Sequence, residues 1–189
     1  MALIPTPSQT VGPFFHYALD HPKWADLTGG GKAKGQVIRV AGRVLDGEGA
    51  ALPDVMLELW QANAAGKYAH PEDKQDKPVD PAFRGFGRVS TAKDGSYAFT
   101  TIRPGAVPGR GNTLQAPHIN VSVFGRGLLK RLCTRIYFAD LAKENDADPL
   151  LASIEDAAAR RTLLATPEGG NYRFDIVLQG ERETAFLDV

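Results

Sequence analysis

The stretch QVIRVAGRVLD, residues 36–46, sets Val37, Arg39, Ala41 and Arg43 against Ile38, Val40, Gly42 and Val44. An extended backbone turns successive side chains to opposite faces, and β-branched residues fit its pleated surface. The stretch therefore reads as a strand. The same rhythm recurs outward from it, in VMLELWQA (55–62), GFGRVST (85–91), YAFTTI (97–102), APHINVSVF (116–124), LCTRIYFA (132–139) and YRFDIVLQ (172–179). The last alternates Tyr172, Phe174, Ile176 and Leu178 on one face. Turn chemistry separates these runs. The Asp-Gly corner in AKDGS predicts a hairpin joining 85–91 to 97–102, and the glycines around Arg126 predict a hairpin tip. One segment reads as a helix: Asp148 can cap it, Pro149 fits its first position, and LLASIEDAAARRTLLA (150–165) follows. Leu150, Ile154, Ala157, Arg161 and Leu164 share a mostly apolar stripe of it. About seven short strands and one helix predict an all-β fold, an antiparallel β-sandwich of the transthyretin (prealbumin) kind.

The chain has 189 residues, enough for one domain of ordinary size that buries about 70% of its unfolded surface. Residues 1–35 read as an N-terminal arm, carrying Phe14, Phe15, Tyr17, Leu19 and Trp24, large groups that must pack on the chain's own body or on a partner chain. Residues 36–189 read as the β domain. Lysine and arginine number 22, aspartate and glutamate 22, so no basic face offers itself to nucleic acid or an anionic membrane. The lone Cys133 cannot form an internal disulfide. Neither a signal peptide nor a run of roughly 18 apolar residues is visible, so the expectation is a cytoplasmic, soluble protein.

Four histidines occur, His16, His21, His70 and His118, and none belongs to a His-Glu-x-x-His arrangement. On a strand, His118 and Asn120 share a face, with Cα atoms roughly 7 Å apart. Two imidazoles at that spacing could grip one metal ion, but an amide is a poor ligand for a transition metal. His118 reads equally as a core histidine bonded to backbone, and Tyr68 as an amphipathic residue at the edge of the sheet. Arg126 reads either as a solvated loop residue or as a clamp for a carboxylate, for which a guanidinium is well shaped.

The ordered set LELWQANAAGKY (57–68), DPAFRGFGR (80–88), DGSYAFTTIRPG (94–105), APHINVSVFGRG (116–127), TRIYF (134–138) and YRFDIVLQGERET (172–184), with TPSQTVGPFF (6–15) before it, closely resembles the intradiol ring-cleavage dioxygenases. The similarity runs along essentially the whole chain. In that family's catalytic chains two tyrosines and two histidines hold Fe(III). The resemblance puts those positions at Tyr68, Val107, His118 and Asn120, and a charge-stabilising arginine at Gln115. Two ligands and the arginine are thus replaced, which leaves no catalytic residue and no metal site of the chain's own. The resemblance implies the alpha-type chain of a two-subunit enzyme, in which a homologous beta subunit binds the Fe(III) within a higher-order alpha–beta oligomer. It implies cleavage of 3,4-dihydroxybenzoate with O2, with Thr10, Gly12, Pro13, Phe14 and Arg126 completing the partner's substrate pocket. Two alternatives stand beside it: a chain that binds iron itself through Tyr68 and His118, and a transthyretin-like binding module.

Overall fold

The computed structural model describes residues 7, 9–12 and 14–188, apart from the side chain of His16. Among the described residues eleven strands form: β1 (Val37–Leu45), β2 (Val55–Trp60), β3 (Phe86–Ser90), β4 (Ser96–Ile102), β5 (Val107–Pro108), β6 (Leu114–Gln115), β7 (His118–Gly125), β8 (Leu132–Phe138), β9 (Leu164–Glu168), β10 (Asn171–Arg173) and β11 (Ile176–Val177). The helices are short: α1 (Phe15–Leu19), α2 (Ala142–Asp146), α3 (Pro149–Ser153) and α4 (Ala157–Arg161), with a 3-10 turn at Pro22–Ala25.

The expected antiparallel transthyretin-like sandwich is not what these strands build. Nine of them belong to one continuous sheet in which β4 and β1 lead through β10, β9, β8, β7 and β2 to β3. The ends of that path, β3 and β4, approach each other without pairing, so the sheet rolls into a nearly closed barrel. Three of its pairings are parallel: β1 with β10, β1 with β11, and β8 with β9. A parallel neighbour needs a long crossover. Residues 139–163, with α2, α3 and α4, supply it between β8 and β9.

The expected hairpin fails for a related reason. Its turn exists, with Gly95 at φ 72° and the Ala92 amide donating to the Ser96 carbonyl. Yet β3 pairs with β2, while β4 pairs with β1, so the turn carries the chain across the seam of the barrel. The strand expected over 172–179 is also broken. It pairs with β1 twice, as β10 and then as β11, with a step at Phe174–Asp175 beside Gly42. A Cβ on Gly42 would lie 1.7 Å from the Phe174 carbonyl oxygen, so only glycine permits that approach.

The barrel interior is filled by the alternating faces read from the sequence. Ile38, Val40 and Val44 from β1 meet Leu57 and Leu59 from β2, Ile119, Val121 and Val123 from β7, and Tyr172, Phe174 and Ile176. Leu27 is fully buried with them, its amide bonded to the Thr100 carbonyl at 2.9 Å. The end of the arm thus packs on the chain's own body. Farther out, Phe14 and Tyr17 are 74% and 86% exposed. The single predicted helix is divided: Asp148 does cap α3, but Asp156 caps a separate α4, and the chain turns back at Ile154–Glu155.

Candidate functional site

Strand β7 buries Ile119, Val121 and Val123 on its inner face, so His118, Asn120 and Ser122 lie on the other. Its antiparallel neighbours set Trp60 of β2 and Arg135 of β8 on either side of Asn120, and Tyr137 beside His118. This row floors a pocket of about 680 Å³, walled by the loop after β2 and by the β5–β6 hairpin. Tyr68, Val107, Gln115 and His118 all line it, and Asn120 touches the Tyr68 hydroxyl at 3.4 Å. The structure therefore gathers at one place all five positions that the resemblance assigned to the metal and its arginine.

Each of those side chains is held. Tyr68 stacks on Trp60 with ring centroids 5.6 Å apart, and burial pushes its phenol up from 10.0. Its amide donates to Asp73 at 2.8 Å. Burial alone would raise the Asp73 carboxyl, but the amides of Gln75 and Tyr68, the Gln75 side chain and the Lys67 ammonium outweigh it and hold the group at about 2. His118 is 3% exposed, and its Nδ1 donates to the Ala116 carbonyl at 2.7 Å. Burial, reinforced by the nearby Arg135 charge, pulls this imidazole down to about 4, so it is neutral at ordinary pH.

The residue that sequence reasoning missed is Arg135. Its Nε donates to Asn120 Oδ1 at 3.0 Å, and its Nη1 donates to Gln115 Oε1 at 2.6 Å and to the Tyr137 hydroxyl at 3.2 Å. The Tyr137 hydroxyl donates in turn to Asp148 Oδ1 at 3.2 Å. TRIYF carried this arginine in plain view, but only the pairing of Asn120 with Arg135 shows what it does.

A guanidinium thus occupies the neighbourhood of the positions that the resemblance assigned to the metal. Ferric iron asks for anionic oxygen donors. Here the candidates are one imidazole, one phenol whose ionisation burial opposes, an amide whose oxygen is bound to Arg135, and the apolar Val107. The fixed cation would also repel the ion. These residues do not fit a ferric ion, and among the described residues no group of three or more His, Cys, Asp or Glu could hold a metal.

The other predicted residues lie elsewhere. Arg126 immediately follows β7, eight residues beyond His118, and the strand between them spans about 24 Å at the rise of an antiparallel strand. Its Nη2 pairs with Asp54 Oδ2 at 2.5 Å, and its side chain is 53% exposed. Thr10 reaches the same turn: its hydroxyl donates to the Gly125 carbonyl at 3.2 Å and accepts from the Gly127 amide at 2.8 Å. Gly12 and Phe14 are exposed on the arm nearby in sequence. Pro13 lies outside the described residues.

A family model described as dioxygenase matches residues 11–180. The chain belongs to the dioxygenase family. The chain is 40% identical over 198 residues to the protocatechuate 3,4-dioxygenase alpha chain of Pseudomonas putida, covering 97% of this chain and 96% of that one. It is also 40% identical over 181 residues to a protocatechuate 3,4-dioxygenase beta chain from Burkholderia cepacia, covering 88% and 74% respectively. Among solved structures it resembles the dioxygenase domain of a dioxygenase–carbohydrate-binding protein fusion from Streptomyces sp. SirexAA-E. That match has a TM-score of 0.59 and 28% identity, covering 96% of this chain and 100% of that one. The barrel-like architecture is shared with that dioxygenase domain, which settles the fold against the transthyretin-like sandwich. No helix of the described residues is long and apolar enough to cross a membrane.

Proposed function

We propose that this chain is the alpha, iron-free subunit of a cytoplasmic protocatechuate 3,4-dioxygenase, which cleaves 3,4-dihydroxybenzoate with O2 to 3-carboxy-cis,cis-muconate. The observation that carries the reading is the division of labour along β7. One end gathers the metal positions in a form that rejects a ferric ion. The other end presents Arg126, with Thr10 tying the arm to the same turn. On this reading the Fe(III) of the complex belongs to a homologous beta subunit in an alpha–beta oligomer, and Arg126 with Thr10, Gly12, Pro13 and Phe14 closes that subunit's substrate pocket.

The chemistry left to this chain is binding. An exposed guanidinium attracts the substrate carboxylate and orients it without touching the ring carbons that react. Phe14 and Tyr17, largely exposed among the described residues, give the arm an apolar surface to lay on the partner.

The test is an iron count and a visible spectrum on the co-expressed complex, followed by kinetics of Arg126→Ala. One iron per alpha–beta pair is expected, with KM for 3,4-dihydroxybenzoate raised about tenfold, roughly 1.4 kcal/mol, and the iron content unchanged. Two irons per pair would make this chain a metal-binding catalyst. An unchanged KM would return Arg126 to a solvated loop residue.

A further inference from the structure

We propose that the pocket at the His118 end of β7 is a metal-free binding site for an aromatic carboxylate, with Arg135 as the group that holds the anion. The inference builds on the reading above only in taking the pocket to be empty of iron.

The guanidinium is the first reason. Three hydrogen bonds fix its Nε and Nη1 edges, to Asn120, Gln115 and Tyr137. All three partners are neutral, and among the described residues no carboxylate forms an ion pair with it. Its Nη2 has no hydrogen-bond partner among the described residues. An arginine held rigid by neutral acceptors, half-buried in a pocket wall with one edge unused, is preorganised for an anion.

The acids around the pocket do not cancel it. Asp73 is taken up by Lys67 and by two amides. Glu72 and Lys74 are both exposed on the rim, one charge of each sign. Asp148 is fully buried behind Tyr137, and three backbone amides already donate to it.

The walls choose the kind of anion. Trp60 and Tyr68 form a stacked aromatic face, and His70 meets Trp60 edge-on at 6.3 Å. Val107 and Pro108 line the pocket from the hairpin. A volume of about 680 Å³ lies within the range of small-molecule sites. A planar ring that carries one carboxylate satisfies both features, the flat apolar face and the single fixed cation. A bare inorganic anion would leave the aromatic wall unused.

Isothermal titration of the intact alpha–beta complex with benzoate tests this, with benzamide as its neutral counterpart. Any binding at the partner's iron is followed separately by the visible spectrum. The expected result is a class of benzoate sites, one per alpha–beta pair, that leaves the iron spectrum unchanged and that benzamide does not fill. In Arg135→Gln that class should weaken at least tenfold. Trp60→Leu, which keeps the cation and removes the ring, should weaken it several-fold, and decides the matter if Arg135→Gln does not assemble. Absence of a spectroscopically silent site, or a silent site untouched by both substitutions, would overturn the proposal. A second iron per pair would instead defeat the reading of the chain as iron-free.

Discussion

Replacing Asp148 by alanine removes a side chain that ties three parts of the structure together. The carboxylate is fully buried. Oδ1 accepts from the amides of Leu150 and Leu151 at 2.9 and 3.0 Å, capping α3, and from the Tyr137 hydroxyl at 3.2 Å. Oδ2 accepts from the Ala116 amide at 2.7 Å, fastening the strand that enters the pocket. Loss of the cap costs about 1 kcal/mol. Leaving the buried Ala116 amide without an acceptor adds about 1–3 kcal/mol, and the Tyr137 hydroxyl contributes about 1 more. A total of about 3–5 kcal/mol is a large share of the roughly 5–15 kcal/mol that holds a domain folded. For a chain of this size it corresponds to a fall of roughly 6–20 °C in Tm. Differential scanning calorimetry of the co-expressed complex measures it, with Asp148→Asn expected to fall between, because its amide keeps an acceptor for the cap but turns a donor toward another donor. A drop below about 3 °C for the alanine variant, the effect of an exposed cap alone, would refute the argument that the buried bonds act together.

His118 sets an acid limb. Its imidazole is pulled from 6.5 down to about 4, so the unfolded chain takes up its proton first, and stability declines as pH falls from about 6.5 to about 4. The full effect is roughly 3 kcal/mol, and His118→Gln should flatten that part of a Tm-against-pH curve. Asp73 acts in a lower window: held at about 2, it contributes stability above 3.8 that is lost as pH drops toward 2, which Asp73→Asn should remove. Gly42→Ala should destabilise by at least about 3 kcal/mol, because its Cβ would meet backbone rather than a movable side chain, and soluble yield with Tm reads the loss. Tyr97→Phe leaves the Phe174 carbonyl without the buried hydroxyl that donates to it at 2.5 Å, for an expected cost of about 1–2 kcal/mol in the same assay.

By itself the sequence determined where the longer strands β1 to β4, β7 and β8 run and which side of β1 is buried, but not the short β5 and β6, nor β9 within the expected helix. Ile38, Val40 and Val44, and again Tyr172, Phe174 and Ile176, point inward as their alternation required, because the face a residue takes on an extended chain depends only on its parity. Asp148 and Pro149 announced a helix start for an equally local reason, since a cap needs only an oxygen and the amides two and three residues on. The five positions that the resemblance assigns to a metal and its arginine were also named from sequence, through an ordered likeness carried along the whole chain, and four of them line one pocket.

What the tertiary structure decided was who neighbours whom. Parity says nothing about which strand lies alongside, so the turn at 92–96 could be read but not the seam it crosses, and a two-layer sandwich was indistinguishable from a rolled sheet. The helical stripe over 150–165 yielded because Asp156 offers a second cap, Arg160 bonds the Ile154 carbonyl, and β8 provides an edge that draws Leu164 and Ala165 into a parallel strand. Arg135 is the same lesson at the site. Its position opposite Asn120 is a fact of register between two strands, and register is set by burial of Ile119, Val121, Thr134 and Ile136 on the far face. Packing on the inside of the barrel thus aligned a cation on the outside with Asn120, one of the positions the resemblance assigns to a metal.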